Sequence, residues 1–457
     1  MTGEARLRNY LVIILDVFVV FLCFYIVLIF GNEDPFDKLV NLRKIVYLPC
    51  GAAVLIFIFT DMYRHIFKKY AEIVFNCILA GISGTILFAI FVNVRAWHNQ
   101  TVKISYIFVL LLLIGFLSAE RILVEFIYRL TMEKRSIAVV GPLEQCMKTG
   151  YDFIKNKKKT HEINYIFDIE GNLDKFTGYL DRIDIVIVCS GIEKEKQDWI
   201  VEVCARHETT VYLTPKIYEI NTMRPKLTQI DDTPYLYFDS RGLTSEEKFF
   251  KRMFDIVFSS ILLLFSLPVL ALCAVGQKID SRGPVFFRQE RVTEKGTFMI
   301  YKLRTMVDGA EKNTGAVLSY AGDDRITRFG RFLRKTRLDE LPQIINVLKG
   351  DMSLIGPRPE RPEFVKEFCK ELPDYDKRHS VKAGISGLAQ IMGKYSTSAE
   401  DKLRYDLIYI RNYSFMMDIK IFFLTLKTVF LEPGSVTENE KIDYEDEIAA
   451  FNVEIIR

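Results

Sequence analysis

Four apolar stretches, at 11–30, 45–60, 73–94 and 104–119, crowd the first 119 residues of this 457-residue chain. A helix needs about 20 apolar residues to cross the hydrocarbon of a bilayer, and only helices or closed barrels satisfy their backbone polar groups there. The first and third stretches reach that length; the second and fourth need a few flanking residues. A four-helix transmembrane bundle over residues 1–134 is therefore expected. The first run is too long for a signal peptide and lacks a small-residue cleavage site, so it reads as a retained anchor. Arg6, Arg8, Arg64, Lys68, Lys69, Arg121, Arg129, Lys134 and Arg135 fall on one side, against Lys38, Arg43, Lys44, Arg95 and Lys103 on the other. Nine cations against five put both ends of the bundle in the cytoplasm. Asp16, the lone acid of the first span, reads as a residue near the helix end that reaches the headgroups.

From Ser136 the pattern changes to short β-rich runs (SIAVVG, INYIFDI, DIVIVCS, TTVYLTP) separated by stretches of helix length. This alternation predicts a small parallel α/β domain over 135–240. Gly141 ends the first run where a dinucleotide fold has its glycine-rich turn, yet Gly-Pro-Leu-Glu stands there in place of G-x-G-x-x-G. Without the further glycines the backbone cannot approach a pyrophosphate, so the domain reads as a degenerate Rossmann-like fold with a structural or regulatory role. Asp168 and Ser190 could line what remains of its pocket. The eight cysteines include no C-x-x-C pair, and the five histidines show no ligand spacing. Free thiols in a reducing compartment fit better than a disulfide framework or zinc site. Residues 225–241 read as a linker.

The third domain, 241–457, opens with twenty uncharged residues at 256–275. A fifth crossing would place the basic region beyond it outside the cell. Pro268 lacks an N–H and clashes with the carbonyl of Leu264, and the hydroxyl of Ser266 can serve the freed backbone groups. A re-entrant helix-break-helix over about 250–278, entering and leaving by the cytoplasmic leaflet, is expected. Short strands at 283–287 and 298–302 and a helix at 326–336 come next. Another helix starts at the acid pair, with Asp339 as N-cap, Pro342 in the first turn and Lys349-Gly350 as its close. Residues 403–431 mix apolar and basic residues as interfacial helices do. The acidic tail at 438–447 reads as solvated.

The chemistry gathers at Asp339-Glu340. Arg325, Arg328, Arg331, Arg334, Lys335 and Arg337 precede the pair and Arg358 lies beyond it. From 282 to 337 thirteen Lys or Arg stand against six Asp or Glu, which suits an anionic ligand or membrane surface. Buried charge makes a poor core but a good diphosphate site. An isolated acid pair at a helix start has a structural reading too, as cap and dipole complement. Among arginines, an ionised carboxylate can act as a nucleophile, provided that cations and a divalent metal mask the phosphoryl charge.

From about residue 248 the chain resembles the bacterial sugar transferase family, the monotopic phosphoglycosyl transferases. The matches are K-R-x-F-D at 251–255, G-P-V-F-F at 283–287, Y-K-L-R-T-M at 301–306 and L-D-E-L-P-Q at 338–343. They continue with N-V-L-K-G-D-M-S-L-I-G-P-R-P at 346–359 and G-I-S-G-L-A-Q at 384–390. With the four-span anchor and the α/β domain, the whole resembles the larger, polyprenyl-phosphate hexose-1-phosphate transferases that start capsule, exopolysaccharide or O-antigen assembly.

The resemblance implies an α/β catalytic domain at the cytoplasmic face of a bacterial inner membrane. There a UDP-hexose would give its hexose-1-phosphate to undecaprenyl phosphate and release UMP. It implies a phosphosugar ester on Asp339, a second acid, Glu340, assisting, and Mg²⁺ touching Asp339. It assigns phosphate or uridine contacts to Arg358, with Lys302, Arg304, Arg337 and Gln390 as further substrate-binding residues. Membrane lipids are expected partners, nucleic acid is not, and a homodimer through the α/β domain fits the architecture. The chain departs from the family pattern at Ala383, at Ser266-Leu267-Pro268 and at Thr293, none of which touches the acid pair. Two other readings stand beside this one. A non-catalytic membrane scaffold or nucleotide/lipid sensor would need the cations but not the paired acids. An enzyme of the same superfamily could use an N-acetyl or diacetamido sugar; glucose or galactose is expected by analogy with the four-span architecture.

Overall fold

The computed structural model describes residues 3–29, 35–63, 70–96, 100–131, 134–155, 161–169, 174–238, 242–310, 323–393, 397–431 and 453–456. It divides into two compact units, residues 1–214 with 440–457, and residues 215–439.

The first unit opens with four long helices: α1 (Gly3–Ile29), α2 (Pro35–Phe59), α3 (Tyr70–Ala96) and α4 (Gln100–Thr131). Each packs on its chain neighbour and α4 returns to α1, which closes a bundle. Segments of α1, α3 and α4 are long and apolar enough to span a membrane, and the described apolar part of α2 is the shorter Tyr47–Phe59. Asp16 does not reach the headgroups. It lies midway along the apolar segment Asn9–Ile26, fully buried, where it accepts a hydrogen bond from the Tyr63 hydroxyl (2.6 Å) and pairs with Arg121 of α4. The Arg121 guanidinium also lies over the rings of Phe57 (4.6 Å) and Tyr63 (4.8 Å). Pairing is what allows either charge to sit inside the bundle. Arg121 is thus an interior residue, and removing it from the expected flanking cations leaves eight against five.

The sheet of this unit is parallel: β1 (Arg135–Gly141), β2 (His161–Asp168), β3 (Ile185–Val188) and β4 (Thr210–Leu213), with helices α5 (Leu143–Lys155), α6 (Asp174–Tyr179) and α7 (Lys194–Arg206) between them. Strands covered on both faces read as continuous apolar runs, which is why β1 and β3 are almost entirely buried Ile, Val and Ala. Their spatial order is β2-β1-β3-β4, with the C-terminal strand Glu454–Ile456 outside β2. Both this order and the Rossmann order belong to doubly wound sheets, but here β1 lies between β2 and β3, whereas a dinucleotide fold sets it between the second and fourth strands. The parallel α/β sheet is as expected, while its strands follow a different order along the chain from that of a dinucleotide fold.

The second unit begins with α8 (Ile217–Asn221) and a hairpin, β5 (Lys226–Ile230) and β6 (Thr233–Tyr237). Residues 225–241 are therefore not a plain linker. Alternating Leu, Thr, Ile and Tyr side chains pair across a turn that Asp231 makes at positive φ (55°). The units also cut the chain differently from the expected domains 1–134, 135–240 and 241–457: residues 215–238 belong to the second unit, while the last strand completes the first unit's sheet by pairing with β2.

Helix α9 (Ser245–Asp280) starts with a capping box in which Thr244 Oγ accepts from Glu247 N and Glu247 Oε2 accepts from Thr244 N. The helix continues through Pro268, so the expected break is not a break in the helix, and Ser266 Oγ donates to the Leu263 carbonyl (3.1 Å) rather than to that of Leu264. Both ends of α9 dock on the same unit. Arg252 donates to the carbonyls of Val347 (2.6 Å) and Leu348 (2.7 Å), and Lys251 pairs with Asp418 (2.7 Å). Asp255 accepts from Ser353 Oγ and Leu354 N, both at 2.9 Å. At the other end Gln277 donates to the Arg304 carbonyl. Between these anchors Ile261, Leu264, Phe265, Leu267 and Leu272 are exposed.

An antiparallel hairpin comes next, β7 (Phe286–Thr293) and β8 (Gly296–Leu303), then α10 (Arg328–Thr336) and α11 (Gln343–Lys349). Beyond them come β9 (Ser353–Ile355), α12 (Pro362–Glu371), β10 (Gly384–Ser386), parallel to β9, and helices α13 (Leu388–Met392), α14 (Ala399–Arg411) and α15 (Phe415–Leu431). Helices α14 and α15 are less interfacial than expected, because Leu403, Leu407, Tyr409, Ile410, Ile421 and Leu424 are buried and all but Leu424 belong to the main core with Phe254, Val347 and Ile355. The acidic tail at 438–447 lies outside the described residues.

Arg121 also lies 3.5 Å from the buried Glu120 carboxylate, so removing it leaves two buried acids without their cation. Arg121→Ala should destabilise the bundle by about 3–5 kcal/mol and Asp16→Ala, which leaves Arg121 with Glu120, by less; the triple change Asp16→Leu, Glu120→Leu and Arg121→Met should recover most of the Arg121→Ala loss. Chemical unfolding in detergent micelles reads the difference, and single-variant losses below about 1 kcal/mol would contradict the pairing.

Candidate active site

The acid pair occupies a single 3-10 turn, Leu338–Glu340, between α10 and α11. Arg337 makes the turn possible: it closes α10 in the left-handed region (φ 56°) and redirects the chain. Asp339 is accordingly not the N-cap of α11. That place belongs to Pro342, and Gly350 closes the helix at φ 91°, as expected of a glycine C-cap. The turn is pinned on both sides. Leu338 packs with Cys273, Leu303 and Leu333 in a small core, while Val347 belongs to the main one. Asn346 ties α11 to β8, donating to the Met299 carbonyl (2.8 Å) and accepting from Tyr301 N (3.0 Å), which fixes the register of the neighbouring Lys302.

Glu340 Oε1 receives two cations, Lys302 Nζ at 3.0 Å and Arg358 Nη2 at 2.7 Å. Burial works to raise its carboxyl, but Arg358 and Lys302 outweigh burial and hold it well below the usual carboxylate range. Asp339 is different. Among the described residues no hydrogen bond engages its partly exposed carboxylate. Burial, reinforced by the Glu340 charge, pushes it up to about 6 against the pull of Lys302, Arg334 and Arg358. One acid is thus committed to its cations, and the other is left free and mostly ionised at neutral pH.

The loop carrying Arg358 is held from behind. Arg378 Nη2 donates to the Arg358 carbonyl (3.0 Å) and pairs with buried Asp406 (2.7 Å), and Arg291 Nη1 donates to the Pro359 carbonyl (3.2 Å). Of the residues expected to bind substrate, Lys302 and Arg358 meet at Glu340. Arg304 does not. It is buried, its Nε donates to the Pro284 carbonyl (2.7 Å) and its Nη2 to Ser281 Oγ (3.0 Å), so its guanidinium holds the turn after α9. Gln390 lies within α13, its Nε2 donating to the Ile385 carbonyl (3.3 Å). Arg337 contributes its backbone, while Arg334, not singled out for substrate in the sequence, is the guanidinium of α10 whose charge acts on Asp339. The signal for Arg334 was its place one turn before the acids.

Among the described residues no three His, Cys, Asp or Glu side chains gather as a metal cage. Mg²⁺ does not need one, since it keeps several waters and binds through one or two carboxylates plus substrate phosphates. The open Asp339 carboxylate fits that role; Glu340, with one oxygen taken by two cations, fits it less well.

The family model for bacterial sugar transferases matches residues 246–432. A UDP-glucose:undecaprenyl-phosphate glucose-1-phosphate transferase of Klebsiella pneumoniae is 30% identical over 341 residues, which cover 69% of this chain and 72% of that protein. The chain belongs to the bacterial sugar transferases. A UDP-N-acetylgalactosamine-undecaprenyl-phosphate N-acetylgalactosaminephosphotransferase of Aeromonas hydrophila is 41% identical over 236 residues, 51% of this chain and 55% of that protein. A UDP-glucose:undecaprenyl-phosphate glucose-1-phosphate transferase of Escherichia coli K12 is 34% identical over 280 residues, 59% and 60%. The matched portions thus span from just over half to nearly three-quarters of these relatives. The clamped Glu340 and the free Asp339 both lie inside the region that the sugar transferase model matches.

A rate that requires ionised Asp339 should fall about tenfold per pH unit below about 6. Because the Glu340 charge raises Asp339, Glu340→Gln should move that acid limb to lower pH even as it slows turnover; an unmoved limb would show that the two carboxylates do not interact.

Proposed function

We propose that this chain transfers hexose-1-phosphate from a UDP-hexose to undecaprenyl phosphate, giving undecaprenyl-diphosphate-hexose and UMP, as the first membrane step of a capsule, exopolysaccharide or O-antigen pathway. One observation carries the reading: a free carboxylate, Asp339, stands beside an acid whose charge is already compensated by Lys302 and Arg358. A diphosphate approaching a bare acid pair would be repelled; approaching this one it meets cations, and a nucleophile that no hydrogen bond engages among the described residues. Asp339 attacks the phosphorus next to the sugar, the bond from that phosphorus to the bridging oxygen breaks, and UMP leaves with the oxygen. The terminal oxygen of undecaprenyl phosphate then attacks the same phosphorus and frees Asp339. Arg358 and Lys302 orient the phosphoryl oxygens, and Glu340 positions both cations. Mg²⁺, held by Asp339 and the donor's phosphates, would supply the remaining charge neutralisation.

The site needs both the lipid and the cytosolic donor, which is why α9 matters. Its two ends dock on one compact unit and its exposed middle is apolar, which supports a re-entrant helix bent at Pro268 with the catalytic unit on the cytoplasmic face of the inner membrane. A cysteine placed at Lys295 should resist an impermeant thiol reagent added outside intact cells, and labelling there would rule the topology out. A homodimer is part of the same proposal, and light scattering that returns the mass of one chain would remove it. The Aeromonas relative favours a second donor class, the N-acetylhexosamines.

The assay is UMP release with undecaprenyl phosphate, Mg²⁺ and a panel of UDP-hexoses and UDP-N-acetylhexosamines. Wild-type protein should release UMP from at least one donor and stop when EDTA is added, while Asp339→Ala and Asp339→Asn should lose about 10³-fold or more. Folded protein inactive with every donor, or variants equal to wild type, would return the field to a non-catalytic scaffold.

A further inference from the structure

The thiols of Cys146 and Cys189 meet at 3.9 Å, although 43 residues separate them in sequence. Cys146 sits in the first turn of α5 and Cys189 comes directly after β3, so both stand at the C-terminal edge of the first unit's sheet, where β1 ends at Gly141. All eight cysteines are free thiols. The others act as apolar core or lie apart, but this pair is built differently. Cys146 is fully buried and donates to the Cys189 sulfur, with the Phe167 carbonyl as a second acceptor at the same 3.9 Å. Cys189 retains 8% exposure, its neighbours Ser190 and Gly191 face solvent, and the Thr149 hydroxyl lies 3.5 Å from its sulfur. Gly141 keeps the space between them open: a Cβ there would lie 2.7 Å from Cys189 Cβ and 3.4 Å from Cys146 Sγ.

We infer that Cys146 and Cys189 form an oxidisable dithiol that peroxide converts to a disulfide tying α5 to the end of β3. The S–H of Cys146 holds the Cys189 thiol down at about 7, whereas Cys146 itself is raised by that bond and by burial. Cys189 is therefore the attacking sulfur. Its thiolate takes one oxygen from hydrogen peroxide to become a sulfenic acid, and the other oxygen leaves as hydroxide. The Cys146 sulfur then attacks the Cys189 sulfur and gives up its proton, the S–S bond forms, and the hydroxyl leaves as water. Two thiols are oxidised and one peroxide is reduced to water. The sulfurs need only close from 3.9 Å to about 2 Å. This domain has no role in the transfer chemistry above, so the inference stands or falls apart from it.

The test uses the full chain in detergent micelles, exposed to hydrogen peroxide at pH 7, quenched with N-ethylmaleimide and mapped by mass spectrometry with and without dithiothreitol. A linked Cys146–Cys189 peptide that reductant separates is expected. It should form at least ~100-fold faster than Cys204 oxidises, a buried thiol of the same domain that burial pushes up to about 11. In Cys146→Ser, dimedone should capture Cys189 as a sulfenic acid, and in Cys189→Ser, Cys146 should stay reduced. The inference fails if Cys189 oxidises no faster than Cys204 in the wild-type protein, or if oxidised Cys189 never links to Cys146.

Discussion

Two cations converging on one oxygen of Glu340 are the interaction on which this catalytic unit turns. Placed alone, Asp339 and Glu340 would repel each other and any phosphate. Lys302 from β8 and Arg358 from the Pro-Arg-Pro loop remove that repulsion from one side only, which leaves Asp339 as the single uncommitted carboxylate of the pair. In the proposed reaction the charge asymmetry of the pair, and not its mere presence, is what would suit it to attack an anionic donor.

Much of the surrounding architecture serves to keep that asymmetry in place. Arg337 at positive φ puts the acids on a tight turn instead of on the helix, and Asn346 locks α11 to the strand that brings Lys302. Arg378, neutralised by Asp406, grips the carbonyl of Arg358 from behind. Helix α9 is fixed to this scaffold by buried polar contacts at both ends and leaves an exposed apolar middle. Sequence similarity to the sugar transferases covers this same stretch, so the match in motifs and the arrangement of charges point to one chemistry.

The acid pair and its cations were legible in the sequence because phosphate chemistry needs those residue types close together, and the motif placed them within a few turns. The parallel α/β domain was legible from its buried strands. Residues with two possible employers were not. Arg304 reads as a substrate cation two residues from Lys302, but its Nε and Nη2 donate to Pro284 and Ser281, a tie that the sequence does not announce. Asp16 reads as a surface acid because its partner Arg121 lies 105 residues away. The last strand joins β2 from the far end of the chain, and the hairpin at 226–237 hides behind two prolines that usually mark loops. Local pattern carries local structure well; long-range pairing of charges and strands leaves no periodic trace.

The proposed reaction requires a covalent phosphosugar on Asp339. Protein incubated with its active UDP-sugar and Mg²⁺ but no lipid acceptor, then acid-quenched, digested and read by mass spectrometry, should carry hexose phosphate on the peptide containing Asp339, and adding undecaprenyl phosphate should discharge it. Steady turnover in a preparation that never shows the adduct would contradict the role given to that carboxylate.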